Sequence, residues 1–330
     1  MAGRLGKLIE TPAREDVLSE VLRTVRLSGS LQFCVVSSDA WQTDDKPSLA
    51  RSAGRKANVV PFHIVAEGTC WIEIEGTRTE LGAGDVVAFP FGTGHVIGVG
   101  SGGKLVRPTD DLPPKPWRDI PILRYGNSTV QLRLLCGYLT CDAINFGPLK
   151  SALPALLHVR TSEADEWLKA TVRQMVTEVD HPRSGGRSLL ERLTEITFIE
   201  VLRHRIAAEA PGSAGWLAAL SDPQLGRCLA LIHDDPMRSW TVPALASATG
   251  VSRSVLTERF ETVLSTSPMR YVRDWRLYLA SVALGTTSKP IAAIAEEAGY
   301  GTEAAFSRAF SRNHGTPPHA WRQAARKSRS

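Results

Sequence analysis

The sequence predicts a multidomain α+β protein with an N-terminal β-barrel, a central helical segment and a C-terminal all-α domain. Three observations support this fold class. Short alternating apolar runs fill residues 30–147, a helical apolar repeat covers 162–209, and two similar helix-turn-helix patterns follow residue 221. We therefore expect domains at residues 1–160, 161–220 and 221–330.

The composition is that of an ordinary globular protein. The 330 residues exceed the size at which single cores stop growing, and 43% are hydrophobic against 22% charged. The net charge of +5 belongs to the C-terminal third, because residues 220–330 carry 14 Lys and Arg against nine Asp and Glu. This basic excess favours a module that meets a polyanion.

The apolar runs and the cysteines indicate the cellular compartment. No apolar run approaches the roughly 18 residues of a membrane span, and the N-terminus lacks a signal-peptide core, so we expect a cytoplasmic protein without a membrane partner. Five widely spaced cysteines do not make a disulfide framework. We expect them to be thiols, ligands or redox switches.

The first region has the pattern of many short strands. In "TCWIEIEG", Cys70, Ile72 and Ile74 share one face and the intervening residues share the other, as a half-buried strand requires. Strands at such close spacing indicate a sandwich or a barrel. The interruption at 102–119, "GGKLVRPTDDLPPKPWRD", is expected to be a mobile loop.

The second region has helical periodicity. The stretch "SEADEW" at 162–167 is a good helix start, and a second helix carries an apolar stripe of Leu190, Leu193, Ile196, Ile199 and Leu202. Such a stripe serves either the protein's own core or a dimer interface. The stretch "EAPGSAG" at 209–215 is predicted to be the linker.

The third region contains a duplicated helix-turn-helix. The stretches "WTVPALASATGVSRSVLTERFETVLSTSPMRYV" and "KPIAAIAEEAGYGTEAAFSRAFSRNHGTPPHAW" each have a helix, a glycine for the left-handed turn (Gly250, Gly299), an N-cap (Ser252, Thr302) and a second helix. A connecting helix of about 17 residues would span about 25 Å. That length would set two recognition helices in successive major grooves, about 34 Å apart.

Residues 221–325 resemble the DNA-binding domain of the AraC/XylS family of transcription regulators, and "IAAIAEEAGYGTEAAFSRAFSRNHGTPPHAWR" matches its signature almost throughout. The resemblance implies that helices 252–263 and 302–312 read DNA. The implied DNA-binding residues are Ser252, Arg253, Ser254, Thr257, Glu258, Thr302, Glu303, Ser307 and Arg308, with Arg273, Arg276 and Arg312 placed for phosphates. Glu258 departs from the arginine of some family members.

The first region resembles a cupin barrel. The stretches "HIVAEG" and "GDVVAFPFGTGH" are similar to the two cupin motifs, with His63, Glu67 and His95 at metal-ligand positions. Pro61 replaces the first histidine and Val99 the expected asparagine. The resemblance therefore implies an incomplete enzyme-type metal site, and Glu67 becomes a turn or rim residue.

The same barrel suggests two chemistries for its cysteines. Cys34 and Cys136, with His63 and His95, would suit a tetrahedral site for Zn or another transition metal, structural or sensory in role. By resemblance to AraC-type members that sense reactive chlorine through cysteines, Cys34 and Cys136 are also candidate redox residues. The histidines could instead hydrogen-bond an organic effector, and the other three cysteines are expected to be small buried hydrophobes: Cys70, Cys141 and Cys228.

Together these observations predict a sequence-specific transcription regulator, an activator by the family's usual outcome, whose cupin domain senses oxidant or metal. The implied partners are a double-stranded DNA operator, RNA polymerase and a second copy of the chain. A regulator that responds to a small organic effector is the alternative. The rival class is an enzyme, a metal-dependent cupin oxygenase or isomerase fused to a DNA-binding tail; Pro61 disfavours it, and we predict that the chain is not an enzyme.

Overall fold

The computed structural model describes residues 16–24, 27–45, 59–127, 129–141, 146–160, 166–210 and 212–327. The chain divides into two compact units, one of Val25–Ala218 and one of Met1–Thr24 together with Ala219–Ser330. We call them the sensor unit, after the role predicted for its barrel, and the helical unit. Within the described residues, no helix is long and apolar enough to cross a membrane.

The helices are numbered along the chain. They are α1 (Val17–Thr24), α2 (Pro108–Asp111), α3 (Gly147–Ala152), α4 (Glu166–Asp180), α5 (Gly186–Ala207), α6 (Trp216–Ser221), α7 (Pro223–Asp234), α8 (Val242–Thr249), α9 (Arg253–Leu264), α10 (Pro268–Thr286), α11 (Ile291–Glu297), α12 (Glu303–His314) and α13 (Pro318–Lys327). The helix start predicted at 162–165 lies outside the described residues.

The sensor unit is built on a ten-stranded sheet. Its strands are β1 (Leu27–Ser37), β2 (Trp41–Asp45), β3 (Val59–Ile74), β4 (Thr77–Gly82), β5 (Val86–Ala88), β6 (His95–Val99), β7 (Lys104–Val106), β8 (Ile122–Tyr125), β9 (Leu132–Cys141) and β10 (Leu157–Val159). The hydrogen-bonded order is β7-β2-β6-β3-β9-β1-β8, with β4 and β5 paired to β3 and β10 paired to β5. Strands β1 and β8 pair in parallel, as do β2 and β7.

Strand β3 carries the curvature of the sheet. Its first half pairs with β5 and β9, and its second half with β4 and β6. The register with β9 shifts between Val65 and Glu67. Gly68 follows at φ +78°, where a Cβ would overlap the Gln131 carbonyl group, so only glycine fits this bend. As a result Val65 and Ile72, from the two halves of the strand, share one core.

The predicted cupin-like barrel is confirmed as a half-barrel whose core lies inside the curved sheet. The buried core residues are Phe33, Val35, Trp41, Val65, Cys70, Ile72, Leu81, Val87, Phe89, Ile97, Val106, Leu132, Leu134 and Cys136. The expectation of a loop at 102–119 was wrong in part, since this segment contains β7 and α2. Strand β7 is ordered because it pairs with β2 and because Val106 reaches the core.

The helical segment predicted at 161–220 packs on the outside of this sheet. Helix α5 lies against β1 and β10, and α4 lies against α5 and β3. The approach is close at Gly29, where a Cβ would come within 2.6 Å of Thr194 Cβ. Of the predicted apolar stripe, the two end residues, Leu190 and Leu202, are buried, and the three middle residues are only half-buried: Leu193, Ile196 and Ile199.

The helical unit contains the two predicted helix-turn-helix pairs. Helices α8 and α9 form the first and α11 and α12 the second, with the 19-residue α10 between them. Gly250 and Gly299 adopt the left-handed conformation expected of the turns, at φ +70° and +82°. The second pair and α10 enclose a core of Leu277, Ala280, Leu284, Ile294, Ala295, Ala298, Phe306 and Phe310. The all-α tandem architecture is therefore confirmed.

Candidate functional site

Three buried side chains meet inside the half-barrel. They are His63 on β3, Cys136 directly across on β9, and His95 at the start of β6. Nδ1 of His63 lies 3.2 Å from Sγ of Cys136, and Nε2 of His63 lies 2.9 Å from Nε2 of His95. None of the three is more than 5% exposed. We call this group the barrel triad.

The carbonyl group of Thr93 sets the proton positions of the barrel triad. It lies 3.0 Å from Nδ1 of His95, and a carbonyl oxygen only accepts, so His95 donates from Nδ1. A neutral His95 then accepts at Nε2 from His63. His63 is left with Nδ1 as an acceptor for the Cys136 thiol. The triad is thus a chain of neutral donors that runs from sulfur through two imidazoles to a backbone oxygen.

Burial keeps both imidazoles neutral. It lowers the pKa of His63 well below the ordinary value, and the neighbouring His95 lowers this pKa further. Burial also lowers the pKa of His95, against the opposing effect of the Thr93 carbonyl group. The ring of Phe89 stacks on His95 with centroids 3.9 Å apart and helps exclude water. A thiol that donates to such an imidazole transfers its proton only to a minor extent, because the low pKa of the ring disfavours the imidazolium form.

Cys34 lies on the opposite face of the same strand pair. Phe33 is directly across from Cys136, and Cys34 is directly across from Leu135. Because side chains alternate along a strand, Cys136 lies on the inside of the sheet and Cys34 on the outside. On the outside, Cys34 lies beside the Arg133 guanidinium. Burial raises the pKa of the Cys34 thiol, and Arg133 opposes that shift only in part.

Arg133 links the outer face of the sheet to α4. Its Nη1 donates to Oδ2 of Asp180 at 2.7 Å, and a second nitrogen pairs with the other carboxylate oxygen. A hydrogen bond from Arg133 lowers the pKa of Asp180. Glu67 lies 3.6 Å from the same guanidinium with its side chain 56% exposed, in agreement with a rim position. Cys34 therefore sits next to an ion-pair network rather than next to the barrel triad.

The four-residue zinc site predicted from the sequence is not assembled. Cys34 is on the other face, and Cys136 and His95 contact opposite nitrogens of the single His63 ring, so one tetrahedral ion could not bind all four. Throughout the described part of the chain, no three His, Cys, Asp or Glu side chains are grouped to hold a metal ion. The side chains of the triad do not fit the predicted metal, and no cofactor is supported.

The two candidate recognition helices begin in the same way. Ser252 caps α9 by accepting from the Val255 amide at 3.2 Å, and Thr302 caps α12 by accepting from the Ala305 amide at 3.2 Å. The predicted reading residues are exposed or half-buried on these helices. The exposed ones are Ser252, Arg253, Ser254, Glu258, Thr302, Glu303 and Arg308, and the half-buried ones are Thr257 and Ser307.

The three arginines predicted for phosphates differ. Arg312 is exposed on α12 and makes no ion pair with any residue that the structure describes. Arg273 is 52% exposed and lies 3.2 Å from Asp274. Arg276 instead donates to the carbonyl groups of Pro236 and Arg238, at 2.7 and 2.8 Å. These bonds hold a loop of its own unit, so Arg276 has a structural role in this arrangement.

Several residues that the fold brings to these sites were not among those predicted from the sequence. Thr93 and Arg133 act through a backbone carbonyl and a distant ion pair, and no local pattern identifies either. Val255 is 39% exposed on the first turn of α9, where an apolar side chain can meet a thymine methyl group. Val255 lies three residues after the Ser252 cap, so the spacing of the predicted helix would have identified it as exposed.

Two family models match the chain. A family model described as Cupin matches residues 16–207, and a model described as a helix-turn-helix domain matches residues 245–324. The HTH-type transcriptional regulator AlkR of Acinetobacter baylyi is 29% identical over 313 residues, which are 93% of this chain and 99% of that protein.

Two further similarities extend over the chain. The RCS-specific HTH-type transcriptional activator RclR of Escherichia coli is 25% identical over 316 residues, covering 94% of this chain and 98% of that protein. Among solved structures, ToxT of Vibrio cholerae O395 is similar over 91% of this chain and 98% of its own, with a TM-score of 0.36 at 11% identity.

Proposed function

The chain belongs to the cupin family and is a DNA-binding transcription regulator of the AraC type, and we propose that its half-barrel is a thiol sensor that controls DNA binding. The observation that carries the proposal is the 3.2 Å contact between the Cys136 sulfur and His63. Cys34, beside Arg133, is the second candidate thiol.

The chemistry follows from the proton chain of the barrel triad. His63 accepts the thiol proton at Nδ1 and passes its own Nε2 proton to His95, so the positive charge that balances the thiolate rests on His95. There the hydrogen bond to the Thr93 carbonyl group partly offsets the burial that lowers the pKa of His95. Hypochlorous acid would oxidise Cys136 to a sulfenic acid. Sulfur loses two electrons and gains the oxidant's oxygen, and chloride and one proton are released. The name of the RCS-specific relative supports this choice of oxidant.

An added oxygen at Cys136 would disturb a packed interior. Cys136 is 4% exposed and belongs to the core, so one more heavy atom must move a neighbour. Strand β9 pairs with β1 along its length, and α5 packs on β1. We propose that this route carries the signal to the helices of the sensor unit, which then favour one of two arrangements of the regulator.

The test compares cysteine variants on DNA. Operators would be selected from a random duplex library with reduced protein, and affinity would be measured by fluorescence anisotropy before and after hypochlorous acid. We expect wild type to change affinity by about 5- to 150-fold, the usual range of allosteric coupling. Cys136→Ser should abolish the change, since no thiol remains beside His63.

Cys228→Ser is the matched control. Cys228 is fully buried in the helical unit, and burial raises its pKa to about 12, so this variant should respond like wild type. Cys34→Ser separates the two sensor thiols. An unchanged response of Cys136→Ser together with a lost response of Cys34→Ser would move the sensor to the outer face, and a full response of both variants would contradict a thiol sensor.

A specific observation favours a second candidate, a small organic effector. A cavity of about 750 Å³ lies between β7 and β8, the two edge strands of the sheet, and its lining includes Trp41, Leu123 and Tyr125. Trp41 is 2% exposed, and its indole N–H finds no acceptor among the described residues. An effector with an apolar body and one acceptor would satisfy it. Trp41→Phe should then abolish a response that persists in Cys136→Ser.

We also propose a homodimer that recruits RNA polymerase as an activator. The apolar residues of α5 that the sheet leaves partly uncovered support an interface: Leu189, Leu193, Ile196 and Ile199. Sedimentation at micromolar concentration tests this, and a monomer for wild type would contradict it. Reporter transcription with purified polymerase distinguishes activation from repression.

The regulator names of the relatives support a chain that is not an enzyme. Pro61 stands where the enzyme-type cupin motif needs a histidine. Incubation with Fe(II) and candidate oxygenase or isomerase substrates should give no turnover above a protein-free control, and turnover would contradict this part of the proposal.

A further inference from the structure

The sensor unit contains a second cavity, outside the half-barrel, and we propose that it binds a small organic oxyanion with a flat apolar body. The cavity has a volume of about 380 Å³, within the range of small-ligand sites. The segment 115–120 forms one wall, and the turn between α4 and α5 forms the other, above β1. This site is separate from the barrel triad and from the edge-strand cavity.

Positive charge converges on this cavity from both walls. Its lining contains four cationic side chains, Lys115, Arg118, Arg183 and Arg187, against two carboxylates, Asp119 and Glu178. Glu178 is buried, and Arg183 donates to it at 2.6 Å, so these two charges compensate each other. The remaining lining is therefore cationic, which favours an anionic ligand.

Three of the cations make no ion pair shorter than 3.7 Å with any described residue, so they can meet a ligand. Arg118 makes no ion pair with any residue that the structure describes. Lys115 places its ammonium group 4.7 Å from the ring centroid of Trp117, a contact that leaves its hydrogen atoms available. Arg187 is 67% exposed; its Nε lies 3.7 Å from Glu191, and its Nη1 donates to the Trp117 carbonyl group across the cavity at 3.5 Å, a long bond that a ligand could replace.

The start of α5 adds to the same field. This 22-residue helix begins after Gly185, which offers no capping side chain, and its first turn has no acidic residue. Arg187 lies in that turn, where the positive end of the helix dipole disfavours a cation. The buried Glu178 carboxylate already lies against Gly186 at this helix end, and an oxyanion beside Arg187 would relieve the repulsion that remains.

The other lining residues favour an apolar body on the ligand. Leu31, Ile120, Tyr138 and Leu190 contribute apolar surface, and Trp117 contributes an indole ring. The indole is fixed by a hydrogen bond from Nε1 to the Pro113 carbonyl group at 2.7 Å. A fixed aromatic wall beside a cationic end suits an aromatic carboxylate or an aryl phosphate.

Calorimetry on the full chain tests the site with three probes: phenyl phosphate, phenylacetate and the neutral 2-phenylethanol. We expect one or both anions to bind and the alcohol not to bind. Arg118→Ala and Arg187→Ala should each weaken anion binding by about tenfold or more, because each removes a charge-assisted hydrogen bond. Binding should also weaken as salt increases.

Arg192→Ala is the matched control, since Arg192 is 74% exposed on α5 but does not line the cavity. Circular dichroism would establish that each variant is folded. Binding of phenyl phosphate alone narrows the ligand to phosphate monoesters and supports the site. Three results would each overturn the proposal. The alcohol binds as tightly as the anions; Arg118→Ala and Arg187→Ala bind the anions as tightly as Arg192→Ala does; or folded wild type binds no anion at millimolar concentration. The readout is direct binding, so it stands whether or not the barrel is a thiol sensor.

Discussion

The two helix-turn-helix units share a frame but differ in the chemistry they expose. On α9, Leu256 and Phe260 are buried, and the equivalent positions of α12, Phe306 and Phe310, are buried too. Both helices follow a hydroxyl cap with the same 3.2 Å hydrogen bond. The exposed charges run in opposite order. Helix α9 begins with Arg253 and later exposes Glu258, whereas α12 begins with Glu303 and later exposes Arg308 and Arg312.

This difference distinguishes the buried residues that stabilise the two units from the exposed residues that we expect to bind DNA. The buried positions repeat because each recognition helix must pack on its partner in the same way. The exposed positions are released from packing and can diverge. Because arginine both pairs with phosphate and reads guanine, the second unit should supply more affinity than the first. The first, with Glu258 at the position of Arg308, should contribute more to selectivity than to affinity.

Truncating the equivalent buried phenylalanines should have the largest effect. Phe260→Ala and Phe310→Ala each remove a fully buried ring, and each should cost about 3–5 kcal/mol of unfolding free energy. Urea unfolding measures the cost. Since the frame is shared, the two values should agree within about 1 kcal/mol. A difference of several kcal/mol would show that one unit dominates the stability of the helical unit.

Acid should reveal a second asymmetry, in the buried histidines. Burial lowers the pKa of His233 on α7 to about 3, whereas His314 at the end of α12 shows a smaller lowering of its pKa. Below about pH 6.5 the unfolded chain protonates these histidines while the folded chain keeps them neutral. The free energy of unfolding is therefore highest above about pH 6.5 and falls as the pH drops toward the pKa of the folded state. Each histidine contributes at most about 1.4 kcal/mol per pH unit.

Unfolding free energies at pH 7 and pH 5 measure this effect. His233→Gln should remove more of the acid-dependent loss than His314→Gln does. His233 contacts the Tyr271 hydroxyl group at 2.8 Å, and glutamine can keep that bond. Equal losses in both variants and in wild type would assign the acid sensitivity to other groups.

Exchanging the exposed charges should affect DNA affinity and leave the fold intact. Arg308→Ala should weaken operator binding by about 10- to 100-fold, the value of one good side-chain contact. Glu258→Gln should leave affinity unchanged or raise it, because it removes an exposed negative charge from a helix that we expect to meet DNA. Anisotropy titrations over a range of salt concentrations measure both. If Arg308 contacts phosphate, the salt slope should fall by about one, and if it reads a base, specificity at one position should relax.

The helix-turn-helix units were predictable because their signals are local. Caps, turn glycines and apolar spacing lie within about 20 residues of each other, and Gly250, Ser252, Gly299 and Thr302 all have the predicted roles. The hydrogen bonds of Arg276 were not predictable in this way. Its partners, the carbonyl groups of Pro236 and Arg238, are some 40 residues away in sequence, and no local pattern announces a bond to a backbone oxygen.

The barrel triad was only partly predictable because its geometry is non-local. The sequence identified His63, His95 and Cys136, and the fold brings them together across three strands. It did not reveal the face on which Cys34 lies. A strand reverses its faces with every one-residue change of register, and the β1 register with β9 contains a shift between Leu31 and Phe33. Only the paired strands decide whether two cysteines share one pocket.

The smallest expected effect tests the shared frame most directly. Ser252→Ala and Thr302→Ala each remove a hydroxyl that accepts at 3.2 Å from a backbone amide, and each should cost about 1 kcal/mol of unfolding free energy. Thr302→Ser keeps the acceptor and should cost only a few tenths of a kcal/mol. If the two alanine variants differ by more than about 1 kcal/mol, the caps are not equivalent despite equal bond lengths. Glu303, which favours the start of α12 through the helix dipole and has Arg253 as its counterpart, would then be the first residue to exchange.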